Sequence, residues 1–232
     1  MRFSRYNFNR KKSFYSDLSI TTWLIIITSL ISIIAFVLLN LNKDLINYFA
    51  LNPNLIFQGK YIWTLILHMF VHGTPLHLFV NMFVLFSLGR LSERIIGRKR
   101  YIWFYILSGL FAGLLSVIFS ISFGNSPFGE KVFGSPNVYM VGASGAIFAI
   151  AGLFVMLLPR LKFAIIFFPF FTLPGYIMIP AILFVTWAVS ILAGLPIGNV
   201  AHFGGFLAGI SYGYYLKRKY SKKVQLLQKY FR

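Results

Sequence analysis

The chain has 232 residues, of which 58% are hydrophobic and only 11% charged, with 27 phenylalanines and a formal net charge of +18. A soluble domain carries about 25% charged residues, so an ordinary water-soluble globule is excluded, and the absence of cysteine excludes disulfides and thiolate chemistry. The charge argues against a nucleic-acid partner as well: 19 of the 22 basic residues sit in four clusters strung along the sequence, not in the patch on one folded face that such binding requires.

Residues 1–18 form a basic N-terminus with Arg2, Arg5, Arg10, Lys11 and Lys12, and no charge lies between Asp17 and Lys43. The run from Leu18 to Leu41 is too long for a signal-peptide core and has no small-residue cleavage site, so it is expected to persist as a first span near 19–41. The stretch 42–75 is long and mixed, with Phe57, Tyr61 and Trp63 among polar residues, and suits an element lying at headgroup depth. Further charge-free intervals predict spans near 76–92, 101–121, 142–158, 175–192 and 200–217. The connection 122–141 reads as irregular, with Gly124, Pro127, Gly129, Gly134 and Pro136. Phe163–Leu173 carries Pro169 and reads as a partly buried connection, while Pro174-Gly175 and the Gly194–Asn199 turn separate the last two spans.

Six crossings satisfy the charges. Arg90 to Arg100, Arg160 with Lys162, and Lys217 to Arg232 then share one side with the N-terminus, which the positive-inside rule makes cytoplasmic. The expected architecture is an all-α membrane protein, a six-helix bundle with both termini cytoplasmic. It divides into a basic N-terminus (1–18), a six-span domain (19–217) and a basic tail (218–232) whose charges meet anionic lipid headgroups. No internal repeat favours an inverted-repeat transporter.

This topology sets three spans running the same way, from outside to inside, and puts a polar residue at the head of each. His77 and Asn81 open the second, Ser144 the fourth and His202 the sixth. All four are expected at similar depth, with helix N-termini that favour a developing anion. Gly142, Ala143, Gly145, Ala149 and Gly152 in one span face Ala201, Gly205, Ala208 and Gly209 in another; small residues at such spacing let helix backbones approach closely. Close approach is what a serine hydroxyl and an imidazole need to share a proton, and an intramembrane ionisable group is by default functional. The acidic residues Asp17, Asp44, Glu93 and Glu130 all fall outside the span interiors or at the cytoplasmic edge, so a Ser–His dyad is expected, with Phe148 one turn after Ser144 packing on His202. The Ser144 N–H, His77 and Asn81 are candidate donors to a tetrahedral oxyanion. His68 and His72 read as hydrogen-bonding residues of the outer connection, since no carboxylate or thiol joins them in a metal site. Glu93 with Arg100 reads as a contact at the cytoplasmic face.

GxSG at one span (Gly142, Ser144, Gly145), HxxGxxxG at another (His202, Gly205, Gly209), HxxxN (His77, Asn81) and Glu93-xxx-Gly97-xx-Arg100-Tyr101 resemble, in order and spacing over about residues 55–216, the rhomboid family of intramembrane serine proteases. The resemblance implies Ser144 as nucleophile, His202 as general base, oxyanion donors at His77 and Asn81, and a cavity closed by a mobile fifth span. It also implies transmembrane proteins as substrates within the lipid bilayer, and no metal or organic cofactor. Three positions depart from the family pattern: Trp63-Thr64 where Trp-Arg is common, Phe148 where Tyr is frequent, and Tyr101 in place of Phe. A proteolytically silent client-binding relative and a small transporter or channel are the competing readings. With no transit peptide evident, a prokaryotic plasma membrane is the expected location.

Overall fold

A computed structural model describes residues 18–165, 168–195 and 197–231, so the basic N-terminal segment lies, but for Leu18, outside the described residues. In chain order the helices are α1 (Ile20–Leu41), α2 (Ile46–Phe49), α3 (Pro53–Phe57), α4 (Thr64–Leu67), α5 (Pro75–Ile96), α6 (Arg98–Phe123), α7 (Pro127–Phe133) and α8 (Ser144–Leu157). An antiparallel hairpin of β1 (Lys162–Ile165) and β2 (Phe168–Pro174) follows, then α9 (Gly175–Ala193), α10 (Asn199–Lys219) and α11 (Ser221–Tyr230). The starts are written locally. Ser19 accepts from the Thr22 N–H, and Thr74 does the same for the His77 N–H with Pro75 in the first turn, which satisfies donors that a helix start leaves unpaired. Gly97, at φ 86°, makes the turn from α5 to α6 in a region closed to most side chains.

Many large apolar side chains face outward, while small or polar ones line much of the helix contacts, unlike a soluble bundle. On α6, Trp103, Leu107, Phe111, Leu114 and Ile118 are exposed at helical spacing, while Ser108, Gly109, Ala112, Gly113 and Ser116 are buried. Lipid tails solvate the first set as well as a core would, so interhelical packing is left to the small residues. Among the described residues four helices, α1, α5, α6 and α9, are long and apolar enough to cross a membrane. α8 has only 14 residues, ten of them buried, so it is wrapped by protein on most of its surface; α10 is long enough but diluted by glycine, tyrosine and its terminal lysines.

α8 and α10 form the centre of the bundle. A Cβ at Gly205 would stand 1.9 Å from the Gly145 carbonyl oxygen, and one at Gly209 would stand 2.0 Å from that of Ala149. Two backbones in contact admit no side chain between them. At the opposite end from Ser144, the buried Glu93 carboxylate accepts from the Ile20 and Thr21 N–H groups and the Thr21 hydroxyl, each at 2.9 Å, and so caps α1. Its ion-pair partner is Arg98 at 3.6 Å, not Arg100, which reaches the Tyr220 hydroxyl instead.

The connections hold more regular structure than their composition suggests. Ser126 caps α7 by accepting from the Gly129 N–H, with Pro127 in the first turn, so a seven-residue helix stands in the connection expected to be irregular. The segment after Arg160 is the β-hairpin, its Phe163 buried and Phe170 fully exposed. The tail beyond Lys219 folds back as α11, where Gln228 donates to the Leu157 carbonyl.

Candidate active site

Ser144 is the first residue of α8 and His202 lies in the first turn of α10. The close approach of these two helices sets the pair: His202 Nε2 and Ser144 Oγ are 2.8 Å apart. For Nε2 to accept the hydroxyl proton, the ring's own proton must sit on Nδ1, and Nδ1 is buried with no hydrogen-bond partner among the described residues. Orientation comes from a ring: Phe148, one turn along α8, stacks on His202 with centroids 4.6 Å apart and an interplanar angle of 30°. Among the described residues no carboxylate stands behind the histidine.

Gly142 and Ala143 precede α8 instead of lining it, which corrects the reading of Gly142 as a packing residue. Gly142 adopts φ +127°, and a Cβ there would lie 3.0 Å from the His77 ring and 3.7 Å from Ser144 Oγ. The imidazole of His77 and the serine hydroxyl therefore flank one small volume. Ser144 heads its helix, where the helical ladder supplies no acceptor for its N–H. Asn81 lies one turn beyond His77 on α5, is buried, and spends one amide hydrogen on the His77 carbonyl at 2.9 Å. Its second amide hydrogen remains for a ligand. His77, Asn81, Ser144 and His202 line the same cavity of about 1230 Å³.

The polypeptide leading to Ser144 is held by the outer connection. Leu51 and Met140 exchange backbone hydrogen bonds, and the Gly142 N–H donates to the His68 carbonyl at 2.8 Å. The Ala143 N–H points to His72 Nε2 at 3.4 Å, which places the His72 proton on Nδ1, facing Ser32 Oγ at 3.0 Å. Ser32 in turn donates to the Phe70 carbonyl. His68 Nδ1 bonds the Thr64 carbonyl at 2.8 Å. Burial pushes the His68 imidazole down to about 4, and burial followed by the nearby His77 pushes His72 down to about 3, so both are neutral near pH 7. The sequence assigned hydrogen bonding to these two histidines but did not find Ser32. Its signal was available: Thr21, Thr28 and Ser32 are polar residues on one buried face of an otherwise apolar run.

The remaining wall of the cavity comes from two helices with little mutual packing. α5 contributes Val80 and Val84, and α9 contributes Met178, Ile179 and Ile182. α9 is tied at mid-length by the Trp187 indole N–H, which donates to the Val132 carbonyl of α7 at 2.9 Å.

Apolar helices and an inward polar cluster thus define a multi-pass helical membrane protein with a serine–histidine pair on a buried cavity. A family model, the Rhomboid domain, matches residues 59–219, and the chain belongs to the rhomboid family. It is 29% identical over 174 residues to presenilin-associated rhomboid-like protein, mitochondrial, of Rattus norvegicus, covering 75% of this chain and 42% of that protein. It is 32% identical over 167 residues to RHOMBOID-like protein 5 of Arabidopsis thaliana, with coverages of 72% and 48%. Rhomboid protein 1, mitochondrial, of Saccharomyces cerevisiae is 28% identical over 158 residues, with coverages of 67% and 42%. The chain spans less than half the length of these curated relatives.

Two of these relatives are mitochondrial by name, which overturns the expectation of a prokaryotic plasma membrane. That expectation rested on the absence of a recognisable transit peptide.

Proposed function

We propose that the chain is an intramembrane serine endopeptidase that hydrolyses peptide bonds in or near the transmembrane segments of membrane proteins. The observation that carries this reading is the 2.8 Å contact of His202 Nε2 with Ser144 Oγ on the wall of the buried cavity. Ser144 Oγ attacks the scissile carbonyl carbon as its proton passes to His202 Nε2. The tetrahedral oxyanion is met by the Ser144 N–H, the free Asn81 amide hydrogen and the His77 ring. His202 returns its proton to the leaving amine, which departs with the C–N bond, and water activated by the same nitrogen then hydrolyses the acyl-enzyme. In the proposed topology the chain crosses the bilayer six times with its basic segments on one side, and the dyad belongs to the outer part of the bilayer. The gap between α5 and α9 is the entry for a substrate helix, because both helices line the cavity and barely touch each other.

The test is fluorophosphonate labelling of the membrane-embedded protein. Wild type labels, Ser144→Ala does not, and His202→Ala labels far more slowly. Equal labelling of wild type and Ser144→Ala removes the nucleophile from the proposal. Labelling of wild type without cleavage of any single-span substrate favours a client-binding relative.

A further inference from the structure

A second cavity, of about 440 Å³, opens at the far end of the bundle, between the end of α5, the start of α6, the end of α10 and α11. α8 and α10 both begin beside the dyad, and Leu157 and Leu216 near their opposite ends line this cavity, roughly 20 Å away at 1.5 Å per residue. Its lining divides by chemistry. Ile96, Leu157, Leu216 and Val224 are buried and make an apolar floor, while Arg94, Arg100 and Lys223 are exposed at the rim.

No carboxylate lines the cavity among the described residues. Glu93, the nearest acidic residue in sequence, is spent on the α1 cap and on Arg98. Glu130 lines the cavity of Ser144 instead, and Asp44 follows α1 at that same end. Two of the three rim cations meet at one aromatic ring: the Arg100 guanidinium lies 5.5 Å from the Tyr220 centroid and donates to its hydroxyl at 3.2 Å, and Lys223 Nζ stands 5.9 Å from the same ring. A tyrosine face relieves some of the repulsion between them but supplies no counter-charge. Arg100 therefore keeps most of its donors for an anion, in the geometry that suits phosphate. The apolar floor selects against a free ion, since a bare phosphate leaves those side chains uncovered. α11 adds Val224 and Leu227 to the floor and Lys223 to the rim, with Lys222 and Lys229 outward, the pattern of a helix lying in the membrane interface.

We propose that this cavity binds one anionic phospholipid, its phosphate between Arg94, Arg100 and Lys223 and the start of an acyl chain on the Ile96–Leu216–Val224 floor. The site is separate from the dyad, and its test reads no proteolysis. Native mass spectrometry of the full chain, released from neutral detergent micelles, is run with phosphatidylglycerol, with phosphatidylcholine and with inorganic phosphate as competitor. Wild type retains one phosphatidylglycerol saturably, retains phosphatidylcholine poorly, and is indifferent to inorganic phosphate. The triple variant Arg94→Gln, Arg100→Gln, Lys223→Gln binds the anionic lipid roughly a hundredfold more weakly, each basic group near a charged surface being worth about a factor of five. Lys217→Gln, Lys222→Gln, Lys229→Gln removes the same charge outside the lining and leaves binding unchanged. Equal loss in both triples overturns the site in favour of diffuse electrostatics. Equal retention of the two lipids, or displacement by inorganic phosphate, overturns it from wild type alone, whatever the folding of the variants.

Discussion

Gly205→Ala tests whether helix contact sets the geometry of the dyad. The added Cβ would stand 1.9 Å from the Gly145 carbonyl oxygen and 2.8 Å from its carbon, both backbone atoms that no rotamer change can move. Ordinary contact requires the helices to part by about 1.5 Å. Gly145 follows Ser144 directly and Gly205 lies one turn beyond His202, so this displacement falls on the pair itself. Added to a 2.8 Å separation, it takes Nε2 and Oγ beyond hydrogen-bond reach. Overpacking should cost about 1–3 kcal/mol of stability, and a misplacement of this size about a hundredfold in acylation rate. The assay is the rate of fluorophosphonate labelling beside the thermal midpoint. Gly213→Ala, which meets Met156 Cβ at 2.7 Å far down the same interface, should lower the midpoint but spare the labelling rate. Gly73→Ala, with only Val141 at 3.7 Å, should do neither. Labelling of Gly205→Ala within about threefold of wild type would refute the link between α8–α10 contact and dyad geometry.

Phe148→Leu should slow labelling by about five- to tenfold, the equivalent of one aromatic stack, with little change in thermal midpoint. Ser32→Ala frees His72 from the contact that fixes its tautomer; labelling should slow while His72→Ala slows it no further when added, a non-additivity measured in a double-mutant cycle. Glu93→Ala removes three acceptor contacts at the start of α1 and should lower unfolding stability by about 3 kcal/mol in a reversible detergent titration. For His68 the folded value, about 4, lies below the ordinary 6.5, so the unfolded chain binds more protons between them. Stability is therefore full above pH 6.5 and falls as pH drops toward 4; thermal midpoints across that window should fall less in His68→Gln. Trp187→Phe cuts the tie of α9 to Val132 and should raise turnover of a single-span substrate by up to about fivefold while labelling by a small phosphonate stays unchanged.

What was legible in the sequence follows from what the membrane forbids. Long apolar runs cannot hide their length, and basic clusters cannot cross, so α1, α5, α6 and α9 are readable from apolar runs, with the Pro174-Gly175 and Gly194–Asn199 breakers marking the ends of α9. α8 is read less well because it is short and buried in protein: its start moves from 142 to Ser144 because Gly142 turns at φ +127° before the helix begins. The hairpin of Lys162–Pro174 and the helix Pro127–Phe133 lie in connections, where glycine and proline mark breaks without saying what lies between them. In the second case the Ser126-Pro127 start, with Glu130 in the first turn, was readable and outweighed by the surrounding glycines. Ser32 and the Glu93–Thr21 cap depend on contacts across some 40 and 72 residues, which no local pattern encodes.

The bundle assigns different work to its two ends, and the distribution of its few charges explains how. At the end where α5, α8 and α10 begin, the site relies on neutral groups: a serine, three histidines, an asparagine and free helix N–H donors. Such a set stays uncharged until a negative charge develops, so it can be buried without an ion pair. A carboxylate behind His202 would strengthen it as a base but would bury a permanent charge in the bundle centre, where the cost is several kcal/mol. Phe148 supplies orientation with no such cost. At the end where these helices finish, solvent and headgroups are in reach, and the chain places Arg94, Arg98, Arg100, Lys217 and Lys223 there with a single buried carboxylate, Glu93, to anchor α1. Length and hydropathy together single out α1, α5, α6 and α9 and not the central pair, because α8 is apolar but short and α10 is long but diluted by glycine, tyrosine and lysine. Their glycines bring the two backbones into contact, and that contact holds Ser144 and His202 2.8 Å apart.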